Sequence, residues 1–168
     1  ADDPAYPQTI PYLRGHPNLV ILRTFSKIMG LAGLRVGYAI AQPEVIRLML
    51  KAREPFPVNR AAQAGALASL DDADFVQRTL EVNRKGREQF YCAFDEMHLR
   101  YCRSQANFVF LDLGRPAEPI FEALLREGVI VRPLTSFGLP NGIRISVGTE
   151  EENERAIAAL RKVLARIP

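Results

Sequence analysis

The sequence predicts an α/β fold, and three observations carry that reading. Two short apolar runs rich in branched residues, "NLVILRTFS" at 18–26 and "RVGYAIA" at 35–41, have the composition of strands covered on both faces. Directly after the second, "QPEVIRLMLKAR" places apolar residues on one helical stripe, with Pro43 at a position suited to a first turn. Strand, loop, strand, helix is the order of a sheet flanked by helices.

The elements follow in chain order. "EPFPVN", Glu54 to Asn59, carries two prolines and interrupts the first helix. An alanine-rich helix is expected over Arg60 to Leu70, then a long one from the capping residues of "SLDDADF" to about Leu99. Phe90, Phe94 and Met97 mark its buried face, while "NRKGRE" in its middle reads as polar all round, a feature of helices that bridge domains. Beyond it the pattern is a compact α+β unit. "NFVFLDL" (107–113), "VIVRPL" and "GIRISVG" are strands, and "PIFEALLREG" is a helix stopped at Gly128. In "GIRISVG" the residues Ile143, Ile145 and Val147 share one face, and Arg144 and Ser146 the other. The last helix opens with Thr149 and Glu152 at capping-box spacing. The boundary between the two parts is expected near 70–80, with domains at 1–72 and 73–168.

Composition narrows the function. The chain has 168 residues, 48% hydrophobic and 24% charged, enough to bury a core. No apolar run approaches the roughly 20 residues that cross a bilayer. The opening "ADDPAYPQTI" lacks the basic-then-apolar order of a secretory signal, so a cytoplasmic protein without membrane partners is expected. A net charge of +3 is spread among acids rather than gathered, which speaks against nucleic acid and leaves room for a local anion pocket. Cys92 and Cys102 have neither a CxxC spacing nor a histidine companion, so neither a disulfide framework nor a metal site is expected. His16 and His98 lack the neighbours of a hydrolase.

The chemistry concentrates in "TFSKIMGLAGLRVGY", Thr24 to Tyr38. Lys27 immediately follows a strand, the rim of a sheet where open α/β folds bind ligands. Glycines at 30, 33 and 37 allow a tight loop, and Arg35 offers a bidentate anion clamp. With the Ser26 hydroxyl these groups make a phosphate seat. A lysine beside such a seat either pairs with phosphate or acts as an amine nucleophile. The P-loop order, glycines before the lysine and Ser or Thr after it, is reversed here, and a cofactor with both a phosphate and an aldehyde describes pyridoxal phosphate.

"SKIMGLAGLRVGY" resembles the signature of fold-type I pyridoxal-phosphate aminotransferases of class I/II. "NLVILRTFSKIMGLAGLRVGYAIAQPEVI" is most similar to their histidinol-phosphate branch. The resemblance implies pyridoxal 5'-phosphate as cofactor, Lys27 as its Schiff-base lysine, and Ser26 and Arg35 as phosphate ligands. "DPAY" matches the segment whose aspartate and tyrosine hold the ring nitrogen and ring hydroxyl, which assigns Asp3 and Tyr6, with Pro4 departing from the pattern. "GIRISVGTEEEN" resembles the substrate-arginine strand and makes Arg144 the clamp. Arg132 is implied to line the same pocket, and Asn107 of "ANFVFLDL" to face the site. The chain resembles the C-terminal half of such enzymes, the end of a mostly parallel large-domain sheet followed by a small domain, and is not expected to be competent alone.

The implied reaction passes an amino group from histidinol phosphate to 2-oxoglutarate, in a cytoplasmic homodimer whose partners are a small-molecule amino donor and a 2-oxo acid acceptor. Threonine-phosphate decarboxylation, aromatic transamination, and a non-catalytic aminotransferase-like binding module are the alternatives.

Overall fold

The computed structural model describes residues 5–167. They divide into a unit of Ala5–Leu80 and a second beginning at Glu81. In the first, β1 (Val20–Thr24) and β2 (Gly37–Ala41) form a two-stranded sheet, followed by α1 (Pro43–Ala52) and α2 (Arg60–Leu70). Asn59 caps α2 by accepting the Ala62 N–H at 2.8 Å, which satisfies one of the donors a helix start leaves open. Phe25, Val36, Ala62 and Ala66 make this unit's buried cluster, with Met29, Leu31, Leu34 and Val58 packed on it.

Two expectations for these strands are corrected. A mostly parallel sheet was anticipated, yet β1 and β2 pair antiparallel, with Ile21 opposite Ile40 and Thr24 opposite Gly37. The link between them holds only a 3-10 turn at Ala32–Leu34, and a parallel return would need a helical crossover across the sheet. Cover on both faces was also expected, but while Ile21 is buried, Leu22 is 70% exposed. Side chains alternate across a strand, so Ile21 and Leu22 serve opposite faces, and the described residues pack only one.

Helix α3 (Ala73–Glu96) supplies its first turns to the first unit and the remainder to the second. It ends a few residues before the expected Leu99, because His98 adopts a left-handed φ of 54° and the chain enters β3 (Arg100–Cys102). That strand was not foreseen in the sequence; three residues carry too little periodicity to register. The middle of α3 is not wet all round either. Gly86 and Arg87 are buried, and Arg87 Nη1 donates to the Ala106 carbonyl at 3.4 Å.

The second unit continues with β4 (Phe108–Asp112), α4 (Ala117–Arg126), β5 (Arg132–Leu134), β6 (Leu139–Ser146) and α5 (Glu150–Arg166). The strands form one antiparallel sheet in the order β3-β4-β6-β5. One face, through Val109, Leu111, Ile143 and Ile145, packs with Phe90, Phe94, Ile120, Leu124, Leu160 and Val163 of the helices. At about 25 cal/mol per Å² of apolar surface buried, this continuous cluster is the main term that holds the unit together. Helix α5 has the anticipated capping box: Thr149 Oγ1 accepts from the Glu152 N–H, and Glu152 Oε2 accepts from the Thr149 N–H.

Candidate active site

The turn after β1 sets the geometry around Lys27. Leu31 N–H donates to the Phe25 carbonyl at 3.0 Å and Gly30 N–H to the Lys27 carbonyl at 2.9 Å. Gly30 holds a φ of 69°, which a residue with a Cβ adopts only at a cost. Thr24 Oγ1 accepts the Ser26 N–H at 3.0 Å, fixing the approach to the lysine from the strand side. Lys27 is therefore the first residue of a braced turn, and its side chain is exposed.

Ser26 and Arg35 come together. Both line a cleft of about 410 Å³, with Thr24, Gly37 and Tyr38 among its other walls. Arg35 caps the 3-10 turn in a left-handed conformation at φ 55°, and its Nη1 donates to the Ala32 carbonyl at 2.8 Å. One of its five N–H donors is thereby used to aim the rest. A non-glycine residue held at positive φ stores of order 1 kcal/mol or more of strain, a cost that clusters at ligand sites. A serine and an arginine in the lining of one cleft suit an oxyanion such as a phosphate. Of the three glycines expected to shape the loop, Gly30 takes the left-handed turn. A Cβ at Gly37 would meet the Arg23 carbonyl at 2.7 Å, and one at Gly33 would meet nothing. Thr24 and Tyr38 were not singled out in the sequence; the pairing of the end of β1 with the start of β2, Thr24 opposite Gly37 and Arg23 opposite Tyr38, is what brings them to the cleft.

The other expected residues lie apart from this cleft in the chain. Tyr6 belongs to the same unit and is 49% exposed. Asp3 falls outside the described residues. Asn107, Arg132 and Arg144 belong to the second unit. There β6 places Arg144 directly opposite Arg132 of β5 and opposite Phe110 of β4, on the sheet face away from the core. Among the described residues neither arginine has a carboxylate partner, and the Nε of Arg144 is buried without a hydrogen bond. Like charges directly opposite in an antiparallel pair destabilise a sheet, so the pair is suited to gain from an anion between them. The guanidinium of Arg144 lies over the Phe108 ring, 5.0 Å from its centroid, and that of Arg132 over Phe137 at 5.2 Å. Asn107 precedes β4, is exposed, and accepts the Val147 N–H on its carbonyl at 2.9 Å. No group of His, Cys, Asp and Glu among the described residues could hold a metal, and no described helix is long and apolar enough to cross a membrane.

Histidinol-phosphate aminotransferase of Symbiobacterium thermophilum is 51% identical over 152 residues, which is 90% of this chain and 42% of that protein. A second histidinol-phosphate aminotransferase, from Methylococcus capsulatus, is 50% identical over 96% of this chain and 43% of its own length. The chain thus spans less than half the length of the curated relatives it matches. The solved structure of histidinol-phosphate aminotransferase from Sinorhizobium meliloti in complex with pyridoxal-5'-phosphate superposes with a TM-score of 0.84 at 31% identity, covering 90% of this chain and 42% of that one. With the model of the family described as "Aminotransferase class I and II" matching residues 1–160, the chain belongs to the class I and II aminotransferases.

Proposed function

We propose that this chain supplies the C-terminal portion of a pyridoxal-phosphate-dependent aminotransferase that moves an amino group from histidinol phosphate to 2-oxoglutarate in histidine biosynthesis. The observation that carries the reading is the cleft lined by both Ser26 and Arg35, next to the braced turn that begins at Lys27. That pairing of an anion seat with an adjacent amine fits a cofactor bearing a phosphate and an aldehyde. When bound, pyridoxal phosphate supplies a carbonyl for amine capture and a ring that accepts the electron pair released at the substrate carbon.

In this reading Ser26 Oγ and the free edge of Arg35 hold the cofactor phosphate, and Asp3 and Tyr6 hold the ring. Lys27 Nζ anchors the cofactor through its aldehyde and, once freed, takes and delivers the proton at the substrate carbon. Arg132 and Arg144 grip the substrate's anionic end, with Asn107 nearby. Two unneutralised guanidiniums on neighbouring strands favour a phosphate dianion over a single carboxylate, because each cationic fork can satisfy a separate pair of oxygens. Residues 1–72 form the end of the large domain and 73–168 the small domain, entered through α3. The exposed face of Leu22 is then covered by the rest of the large domain, and the working enzyme is a cytoplasmic homodimer.

The test is a pair of absorbance spectra. Full-length protein incubated with pyridoxal phosphate develops the yellow of the bound cofactor, and the Lys27→Ala variant does not; equal colour in both sinks the assignment of Lys27. A half-reaction screen with histidinol phosphate, phenylalanine and threonine phosphate then tests the donor, with histidinol phosphate expected to react fastest.

A further inference from the structure

We infer that Phe108 and Phe137 are positioning residues for the substrate's anionic group, acting as the counterparts of Arg144 and Arg132 in place of carboxylates. The inference rests on the reading of those arginines as the substrate clamp. Its starting point is that neither ring belongs to the hydrophobic core of its unit. Phe137 is 63% exposed, at the end of the 3-10 turn Thr135–Phe137, where Gly138 at φ 77° returns the chain into β6. Phe108 sits on the open face of the sheet, opposite Ser146 and hence diagonal to Arg144. What each ring does contact is a guanidinium, at 5.2 Å for Arg132 and 5.0 Å for Arg144.

The physical consequence differs from that of an ion pair. A carboxylate would occupy the N–H fork and cancel the charge, leaving little for a ligand. A ring face attracts the cation through its quadrupole while the N–H edges, which lie in the guanidinium plane, stay open to oxygen. Two such rings hold two like charges, on directly opposed residues, without neutralising either. The side-chain entropy of two long arginines is restricted before the ligand arrives, so less is lost on binding.

Steady-state kinetics of the full-length holoenzyme with histidinol phosphate as donor tests this, using Phe108→Leu and Phe137→Leu to keep apolar bulk and remove the ring. KM for histidinol phosphate is expected to rise about two- to fivefold per ring, the range of an exposed cation–π contact, with kcat and the cofactor spectrum retained. The inhibition constant of inorganic phosphate rises in parallel, and Phe→Tyr at either position restores both. Arg132→Gln and Arg144→Gln are the reference variants. If they raise KM while the leucine variants leave KM and phosphate inhibition at the wild-type values, the positioning role is overturned and the clamp stands. If the arginine variants leave KM unchanged, the clamp reading fails, and the role of the rings with it. A loss of kcat and melting temperature in the leucine variants that tyrosine does not rescue assigns the rings to the fold and overturns the inference.

Discussion

Replacement of Gly86 by alanine sets two physical effects of opposite sign against each other. By helix propensity alone, a glycine in the middle of the 24-residue α3 costs about 1 kcal/mol relative to alanine, so the substitution should stabilise. The tertiary structure reverses that expectation. A Cβ at Gly86 would lie 2.4 Å from Val147 Cγ1 and 2.8 Å from Asn153 Nδ2, where carbon contacts prefer about 3.5–4.0 Å. Asn153 is buried and brackets Gly148, accepting its N–H at 2.9 Å and donating to its carbonyl at 3.4 Å, so it cannot yield without exposing those groups to loss. Overpacking of this kind costs about 1–3 kcal/mol, and a buried polar group left unpaired costs about as much again. Set against the propensity gain, Gly86→Ala should destabilise by about 1–5 kcal/mol. Urea unfolding followed by circular dichroism measures it as a lower midpoint at unchanged slope. Val147→Ala removes the nearest methyl, so the double variant should fall short of the sum of the two single losses. A Gly86→Ala protein that is more stable than the parent by about 1 kcal/mol would refute the close approach of α3 to the start of α5.

Other perturbations follow from particular contacts. Thr149→Ala removes the hydroxyl half of the α5 capping box and should cost about 1 kcal/mol, read as a lower melting temperature, with Thr149→Ser nearly neutral. The hydrogen bond from Lys162, aided by the charge of Arg166, holds the Glu127 carboxyl below its ordinary value of 4.5. A depressed carboxylate contributes stability that is present above pH 4.5 and is lost as pH falls through its folded value. Glu127→Gln should therefore lower the melting temperature at neutral pH by a small amount and flatten its dependence on pH below 4.5, while an unchanged acid profile would contradict the pairing.

Much of this was legible in the sequence wherever the deciding interactions are local. The α2 boundaries at Arg60 and Leu70, the stop of α4 before Gly128, and the Thr149–Glu152 box depend on side chains within one or two helical turns of each other, which spacing alone reveals. Ser26 and Arg35, close in sequence on either side of one loop, line one cleft, and their residue types and order are what led the sequence to be read as an anion seat beside the Lys27 amine. Tertiary structure decided what depends on residues far apart in the chain. Antiparallel pairing of β1 with β2, the short strand β3, and the burial of Gly86 and Arg87 inside a polar stretch all arise from partners that no local period encodes. So does the opposition of Arg132 and Arg144, because register is set across strands and a slip of one residue would turn either side chain to the other face. The sequence thus determined which chemical groups are present and which helices carry them, while the pairing of strands decided which of those groups meet, since only a folded sheet converts distant positions into neighbours about 5 Å apart.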